Sequence, residues 1–590
     1  MSLCKSMVRP ASVLFAVMVL LQLGGCVAEW PIAKDVYTTA EQQLLPVALP
    51  ADTPAINPKD VALYAEFGYS AWHTGPGTDY SKDPAAVQPH DKRAELAPAY
   101  TGAPNAASLL SFFAITDIHI TDKESPAQAI YPGWSATPEA PYLLNSSYSP
   151  IILSTTQVLD AAIQTVNALN KKSPIDFGIS LGDDINNTQY NELRWFIDVM
   201  DGKVITPSSG AHAGADTIDY QKPFKAVGLD IPWYQVLGNH DQYFTGLAYE
   251  TKKTRAAHVG NTVINMAPDA LAPGWNADTT GAYMGVVDGT TPYGDIIGAG
   301  LEALFPTPPK VVADKNRRSL STTKSTSRNW MREFFDTTSE PFGHGFSREN
   351  LDKDFACYTF EPKSEIPIRI LALDDTNKPS ATETSQQYIG GGGLDQARHD
   401  WLLTELQKGQ NEGKLMIIAA HIPILPLTDL TTTDPTDVES CFGNIEEEKA
   451  LLATLRNYPN LLMVIAGHRH LNTVTPQTYD PTVPGQGPEN SFWEVETASL
   501  RDFPQQLRVF DICRNSDNTV SVFVTNVDPA VSEGSPAAKS RNYALGLKRI
   551  YGASATTLAD TTSHAYNAEL VKQLTPEMQA IIANCGTPLE

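Results

Sequence analysis

The chain has 590 residues, with 43 Lys+Arg against 67 Asp+Glu and a formal charge of −24. With 42% hydrophobic and 19% charged residues, its composition is that of a globular protein, neither disordered nor fibrous. The acidic balance argues against holding nucleic acid by bulk charge, but leaves open a phosphorylated substrate, because a metal ion can supply positive charge locally.

Residues 1–26 read MSLCKSMVRPASVLFAVMVLLQLGGC. Lys5 and Arg9 make the start positive, and Ala11 to Leu23 is an apolar run of signal-sequence length, too short for a comfortable membrane span. The run ends in Leu23-Gly24-Gly25-Cys26, which resembles the bacterial lipobox. The resemblance implies a signal peptide over 1–25, lipid on Cys26 and anchorage in the bacterial cell envelope. Val27 in place of Asp points to the outer membrane, facing the periplasm. An ordinary signal peptide that happens to contain a Cys is the plain alternative. Cys357, Cys441, Cys513 and Cys585 then remain for an oxidising compartment; three pairings are possible and spacing selects none.

Residues 26–107 are rich in Pro, Ala and Asp and read as a tether followed by an irregular N-terminal extension. Over 108–530, short apolar strands alternate with amphipathic helices. Leu109 to Thr116 reads as a buried strand. Thr156 to Leu169 places Val158, Leu159, Ala162, Ile163, Val166 and Leu169 on one helical face. Ile175 to Leu181 reads as a strand, the positions Leu193, Phe196, Ile197 and Met200 as a helix, and Trp233 to Leu237 as a strand. Residues 242–350 break the rhythm with Gly, Pro, Thr and Asn clusters and read as a long insertion. Strands at Ile368–Leu373 and Leu415–Ala420 flank a helix at Leu394–Gln407. A helix at Ile445–Arg456 precedes a strand at Leu461–Ala466, and further strands fall at Phe492–Glu496, Leu507–Ile512 and Val520–Val524. Residues 531–590 read as a C-terminal extension with one helix, Ala568–Ile582. The alternation predicts an α/β sandwich of mixed sheets with helices outside, and functional residues in loops at the carboxyl ends of strands.

Polar residues close strand after strand. They are Thr116-Asp117-Ile118-His119, Gly182-Asp183-Asp184, Gly238-Asn239-His240-Asp241, His421 after Ala419-Ala420, and Gly467-His468-Arg469-His470. A carboxylate or imidazole on a buried strand end needs a partner, and a metal satisfies several at once. Carboxylate and imidazole donors without thiolate suit zinc, manganese or iron. Asp117, His119, Asp183, Asn239, His421, His468 and His470 exceed what one ion needs; two ions sharing a carboxylate use them all.

D-x-H, G-D, G-N-H-D, H and G-H-x-H in this order resemble the signature of calcineurin-like metallophosphoesterases, over roughly residues 108–530. The resemblance implies a four-layer α/β/β/α sandwich of mixed sheets with long insertions. It implies a binuclear metal centre with Asp117, His119 and His470 on one ion, Asp183 bridging, and Asn239, His421 and His468 on the other. The ions would be Mn, Fe or Zn, divalent or mixed-valence. His240 would stand beside the leaving group, its ring oriented by Asp241. The implied reaction is hydrolysis of a small phosphate ester by in-line attack of a metal-bound hydroxide, without a covalent enzyme intermediate. The reading leans to a phosphodiesterase; a monoesterase or nucleotidase of the same fold, or a non-catalytic metal-binding surface lipoprotein, are the alternatives. Asn186 stands where purple acid phosphatases carry Tyr, and His119 is present where they lack it, so no tyrosinate–iron site is expected.

Other residues carry competing readings. Asp184 caps the following segment, or faces a substrate amine or a histidine behind the ligands. Arg469 faces phosphate or lies at the surface. Asn186 and Asn187 contact substrate or form a turn. Gly390–Gly393 reads as a turn before a helix, because no Gly-Lys-Ser/Thr follows. His258, His344, His399 and Trp275 have no assigned role.

Overall fold

The computed structural model describes residues 27–56, 60–83, 85–128, 150–216, 218–263, 282–283, 300–301, 311–321, 327–378, 390–424, 426–428, 438–440, 445–550, 563 and 565–589. The expected signal peptide, Cys26, Trp275 and Cys441 lie outside the described residues. Among the described residues no helix is long and apolar enough to cross a membrane.

In chain order, the strands of the two main sheets are β1 (Asp91–Leu96), β2 (Asn105–Ile115), β3 (Phe177–Ser180), β4 (Trp233–Gln235), β5 (Tyr358–Phe360), β6 (Ile368–Ala372), β7 (Leu415–Ala419), β8 (Leu461–Ala466), β9 (Thr473–Gln477), β10 (Phe492–Glu496), β11 (Leu507–Asn515), β12 (Val520–Val527), β13 (Ala568–Lys572) and β14 (Thr587–Pro588). The larger sheet runs β1-β13-β12-β11-β2-β3-β4, with β14 beside β2; the smaller runs β5-β6-β7-β8-β10-β9. Each contains a parallel block, β2-β3-β4 in one and β6-β7-β8-β10 in the other. Parallel neighbours need crossovers. Helices α1 (Thr155–Lys172) and α2 (Tyr190–Met200) serve the first block, and α3 (Gln396–Asn411) and α4 (Ile445–Leu455) the second.

The sequences of β6, β7 and β8 (IRILA, LMIIA and LLMVIA) are nearly continuous apolar runs, as parallel strands covered on both faces require. Alternate residues point to opposite faces. Ile370, Ala372, Ile417, Ala419, Met463 and Ile465 join a core cluster with Phe112, Ala114 and Phe510 of the larger sheet. Leu371, Met416, Ile418 and Val464 join a second cluster with Leu402 and Leu406 of α3 and Leu451, Leu452 and Leu455 of α4.

Two expectations are corrected at the ends of the chain. Ala568–Ile582 is a strand, β13, followed by a short helix, Pro576–Ile582. Pro cannot sit inside a helix but fits its first turn, and Thr575 Oγ1 accepts the Met578 N–H at 3.2 Å. β13 is buried along its length between β12 and β1, so packing decides against the helix. The N-terminal extension is not irregular throughout: it forms a hairpin of Gln42–Pro46 with Trp72–Pro76 and supplies β1. A helix not foreseen, α5 (Pro536–Ile550), packs Ala544 and Leu547 against Val61, Tyr64 and Tyr69 of that extension. The described part of the insertion places Trp330, Met331, Phe334 and Phe346 in the main core. Cys357, Cys513 and Cys585 are free thiols, so no disulfide joins these three.

Candidate metal centre

All five polar motifs begin within three residues of the carboxyl ends of the parallel strands β2, β3, β4, β7 and β8. The loops interlock through backbone donors. The His468 N–H donates to Asp117 Oδ2 at 2.9 Å, and the His240 N–H to Asp183 Oδ1 at 2.8 Å. Gly467 permits the first approach: a Cβ there would lie 2.0 Å from Thr116 Oγ1. Asp117, His119, Asp183, His468 and His470 all hold left-handed backbone, with φ between 48° and 73°. Such conformations cost non-glycine residues roughly 1–3 kcal/mol each and persist where the surroundings enforce them, typically at functional sites.

The seven expected ligands converge. His470 Nε2 lies 3.2 Å and His119 Nε2 3.7 Å from Asp117 Oδ1. The two ring nitrogens are 3.3 Å apart. Asp183 Oδ2 lies 3.7 Å from His119 Nε2 and 3.3 Å from His421 Nε2, and so faces both halves of the site. Asn239 Oδ1 lies 2.9 Å from His421 Nε2 and 3.2 Å from His468 Nδ1. Ligand atoms of Asp117, His119 and His470, and of Asp183, His421 and His468, fall within 4.8 Å of one another in each set. His119, Asp183 and His240 form a third such set.

Lone-pair atoms crowded this way repel unless a proton or a cation lies between them. Asp117 Oδ1, among these atoms, is buried without a hydrogen-bond partner. The donor set therefore fits divalent cations. The outer faces of the ligands are fixed. His421 Nδ1 meets the Leu181 carbonyl at 2.8 Å, Asn239 Nδ2 donates to the Gly246 carbonyl at 3.0 Å, and His470 Nδ1 pairs with Asp502 Oδ2. These contacts aim the remaining atoms inward.

Electrostatics agree with the geometry. Burial opposes charge on Asp117 and Asp183, but His470 beside the first and His421 beside the second hold both carboxyls below the usual range. Burial likewise opposes charge on His421 and His470, yet Asp183 pushes His421 up to about 10, and Asp117 with Asp502 pushes His470 up to about 10. Burial pushes His468 down to about 3 and His119 well down. In the protein alone, protons on His421 and His470 balance the two carboxylates.

Several assignments change. Asp241 does not orient His240. Its carboxylate accepts the N–H groups of Gly238 (2.8 Å), Asp183 (3.0 Å), Asp184 (3.1 Å) and Ile185 (3.3 Å), and so clamps the loop that carries Asp183. The His240 ring is held instead through Nδ1 by the Asn186 carbonyl at 2.8 Å. Asp184 neither caps nor faces a substrate; it is buried against Ser180 Oγ and Gln235 Nε2. Arg469 pairs with Glu496. Asn187 binds the Thr245 N–H and the Ala127 carbonyl within the scaffold. Gly390–Gly393 is followed by α3, which Asp395 caps through the Arg398 N–H. His258 pairs with Glu250 and His344 stacks on Trp233, both away from the centre. His399 lies near Asp400 on α3.

Sequence reasoning missed Asp502, Arg501 and Asp375. Asp502 and Arg501 belong to a sixth polar strand end, Thr497–Asp502 after β10, which the strand-end rule would have flagged. Asp375 follows β6 and accepts the backbone N–H groups of His421 and Ile422.

No protein-family model matches the chain. Short stretches are similar to the manganese-dependent ADP-ribose/CDP-alcohol diphosphatases of Xenopus laevis, 25% identical over 97 residues (16% of this chain, 24% of that protein), and Xenopus tropicalis, 25% identical over 113 residues (18% and 30%). The chain thus spans less than a third of either relative. Among solved structures, a dimetal phosphatase from Danio rerio aligns with 72% of this chain and all of its own, at 12% identity and a TM-score of 0.32.

Proposed function

We propose that the protein is a metal-dependent phosphoric ester hydrolase with a binuclear centre. The observation that carries this reading is the convergence of seven donors from five strand ends, with Asp183 Oδ2 facing both halves. Asp117, His119 and His470 would hold one ion, Asn239, His421 and His468 the other, and Asp183 both. Bound there, the ions would supply positive charge for a phosphoryl group and an activated water. His240 lies beside His119, with ring centroids 4.5 Å apart and perpendicular rings. Its Nδ1 is committed to the Asn186 carbonyl, which leaves Nε2 for substrate. With Nδ1–H on the Asn186 carbonyl, Nε2 takes up the proton lost by the attacking water through solvent and passes it to the leaving oxygen as the ester P–O bond breaks.

A diester is the favoured substrate class. The two similar diphosphatases are named for ADP-ribose and CDP-alcohols, whose diphosphates are substituted at both ends. Manganese in their names supports it as the first ion to try. The packing of two sheets between helices supports the four-layer arrangement as part of the proposal. So does the lipobox-like segment for export and a lipid on Cys26, with the substrate a small molecule of the cell envelope. The test is a panel of ADP-ribose, an aryl phosphodiester and an aryl monoester, offered to protein loaded with manganese, iron or zinc. Hydrolysis of the first two above the third is expected. Cleavage of none by fully loaded protein refutes the reading.

A further inference from the structure

We propose that Arg501 is a positioning residue that holds His240 through Asn186 and ties it to the shell of the first ion. This deepens the hydrolase reading and rests on it. Asn186 is the joint. Its carbonyl receives His240 Nδ1 at 2.8 Å, its Oδ1 receives Arg501 Nη1 at 2.8 Å, and its Nδ2 donates to Gln128 Oε1 at 2.9 Å. Gln128 is itself fixed, its Nε2 donating to Glu192 Oε1 at 3.0 Å. Arg501 is fully buried. Its N–H lies 3.4 Å from the Asp117 carbonyl, Ser499 Oγ donates to that carbonyl at 2.7 Å, and its Nε lies 3.6 Å from Asp502 Oδ1. Asp502 in turn pairs with His470.

One loop, Ser499–Asp502, therefore reaches a ligand of the first ion through Asp502 and the leaving-group side through Arg501 and Asn186. A buried guanidinium is a costly way to brace a loop, because desolvating it must be repaid by directed hydrogen bonds. One of its directed bonds goes to the residue that holds His240. Held by Arg501 at Oδ1 and by Gln128 at Nδ2, the Asn186 side chain is anchored on both sides, which restrains the backbone of that residue and with it the carbonyl that the imidazole meets.

The experiment compares Arg501→Gln, Arg501→Lys, Asn186→Ala and His240→Ala with the wild type, all loaded with zinc. The first measurement is ring 15N NMR of histidine, with His240 assigned from its variant. The wild type is expected to show one His240 tautomer, protonated at Nδ1. Arg501→Gln and Asn186→Ala are expected to show a tautomer mixture with metal content unchanged, and Arg501→Lys a partial return. This readout needs no turnover, so it separates failure of this inference from failure of the hydrolase reading. The second measurement is kcat with alkyl and aryl leaving groups. Arg501→Gln is expected to slow the alkyl ester about 10–100-fold and the aryl ester less, as His240→Ala does. The double variant Arg501→Gln/Asn186→Ala is expected to be no worse than the worse single one. An unchanged His240 tautomer in both single variants, loss of metal from Arg501→Gln, or equal slowing of both esters overturns the proposal.

Discussion

The charge balance of the centre rests on individual side chains, and so does its response to pH. Asp183 with His421, and Asp117 with Asp502 beside His470, push the two imidazoles up to about 10. A histidine raised in the folded state contributes stability that is fully present below its unfolded value, about 6.5, and is lost as pH rises through the folded value. The contribution of these two imidazoles to the stability of the metal-free protein should therefore be lost between about pH 6.5 and pH 10. Cations replace those protons, so the gain in Tm on adding manganese should be larger at pH 9 than at pH 6.5; thermal unfolding with manganese and with EDTA measures both. Asp241 carries a second prediction. Asp241→Ala would leave four backbone N–H groups without their acceptor. A loss of about 3 kcal/mol or more is expected in denaturant unfolding, together with weaker metal retention. A variant as stable as the wild type would show that the clamp is dispensable.

At the scale of elements, the site is a set of strand ends pressed together, and glycines set how close they come. A Cβ at Gly467 would meet Thr116 Oγ1 at 2.0 Å and Asp117 Oδ2 at 2.6 Å. Gly467→Ala should push β8 and β2 apart at their ends, costing about 1–3 kcal/mol and lowering metal content on elemental analysis. The ligands were legible in the sequence because metal chemistry restricts residue type and because each follows an apolar strand. Asp241 was misread from adjacency. It sits next to His240 in the turn Asn239–Gln242, and neighbours on a helix point about 100° apart, so one faces the centre while the other turns back to the Asp183 loop. Asp502 and Asp375 also follow strands, β10 and β6, but stand outside the five motifs; their partners, 32 and 46 residues away, show their roles only once the strand ends are packed together. Ala568–Lys572 was read as helix because its strand character comes from burial between two neighbours rather than from β-branched residues.

For the whole molecule, both ends of the chain belong to the larger sheet. Segments expected as extensions complete the larger sheet: β1 comes from before the motif region, and β13 and β14 from after it. Removing residues 531–590 would uncover the edge of β12, where Val520, Val522 and Val524 are fully buried, and would remove Leu570, Met578 and Ile582 from the core. A chain of residues 27–530 should show no cooperative thermal transition, whereas a folded product with the parent Tm would mean the catalytic unit ends at 530. The acidic charge of −24 also narrows in meaning. It disfavours polyanions held across a surface but not one phosphoryl group held at a metal pair. The most direct test of that pair is elemental analysis of the protein and of Asp183→Asn after manganese loading, paired with hydrolysis of an aryl phosphodiester by the same samples. Two ions per chain with turnover in the parent, and loss of both ions and turnover in the variant, are predicted. Turnover that survives the substitution or EDTA, or two bound ions with no cleavage of any ester in the panel, would contradict the account.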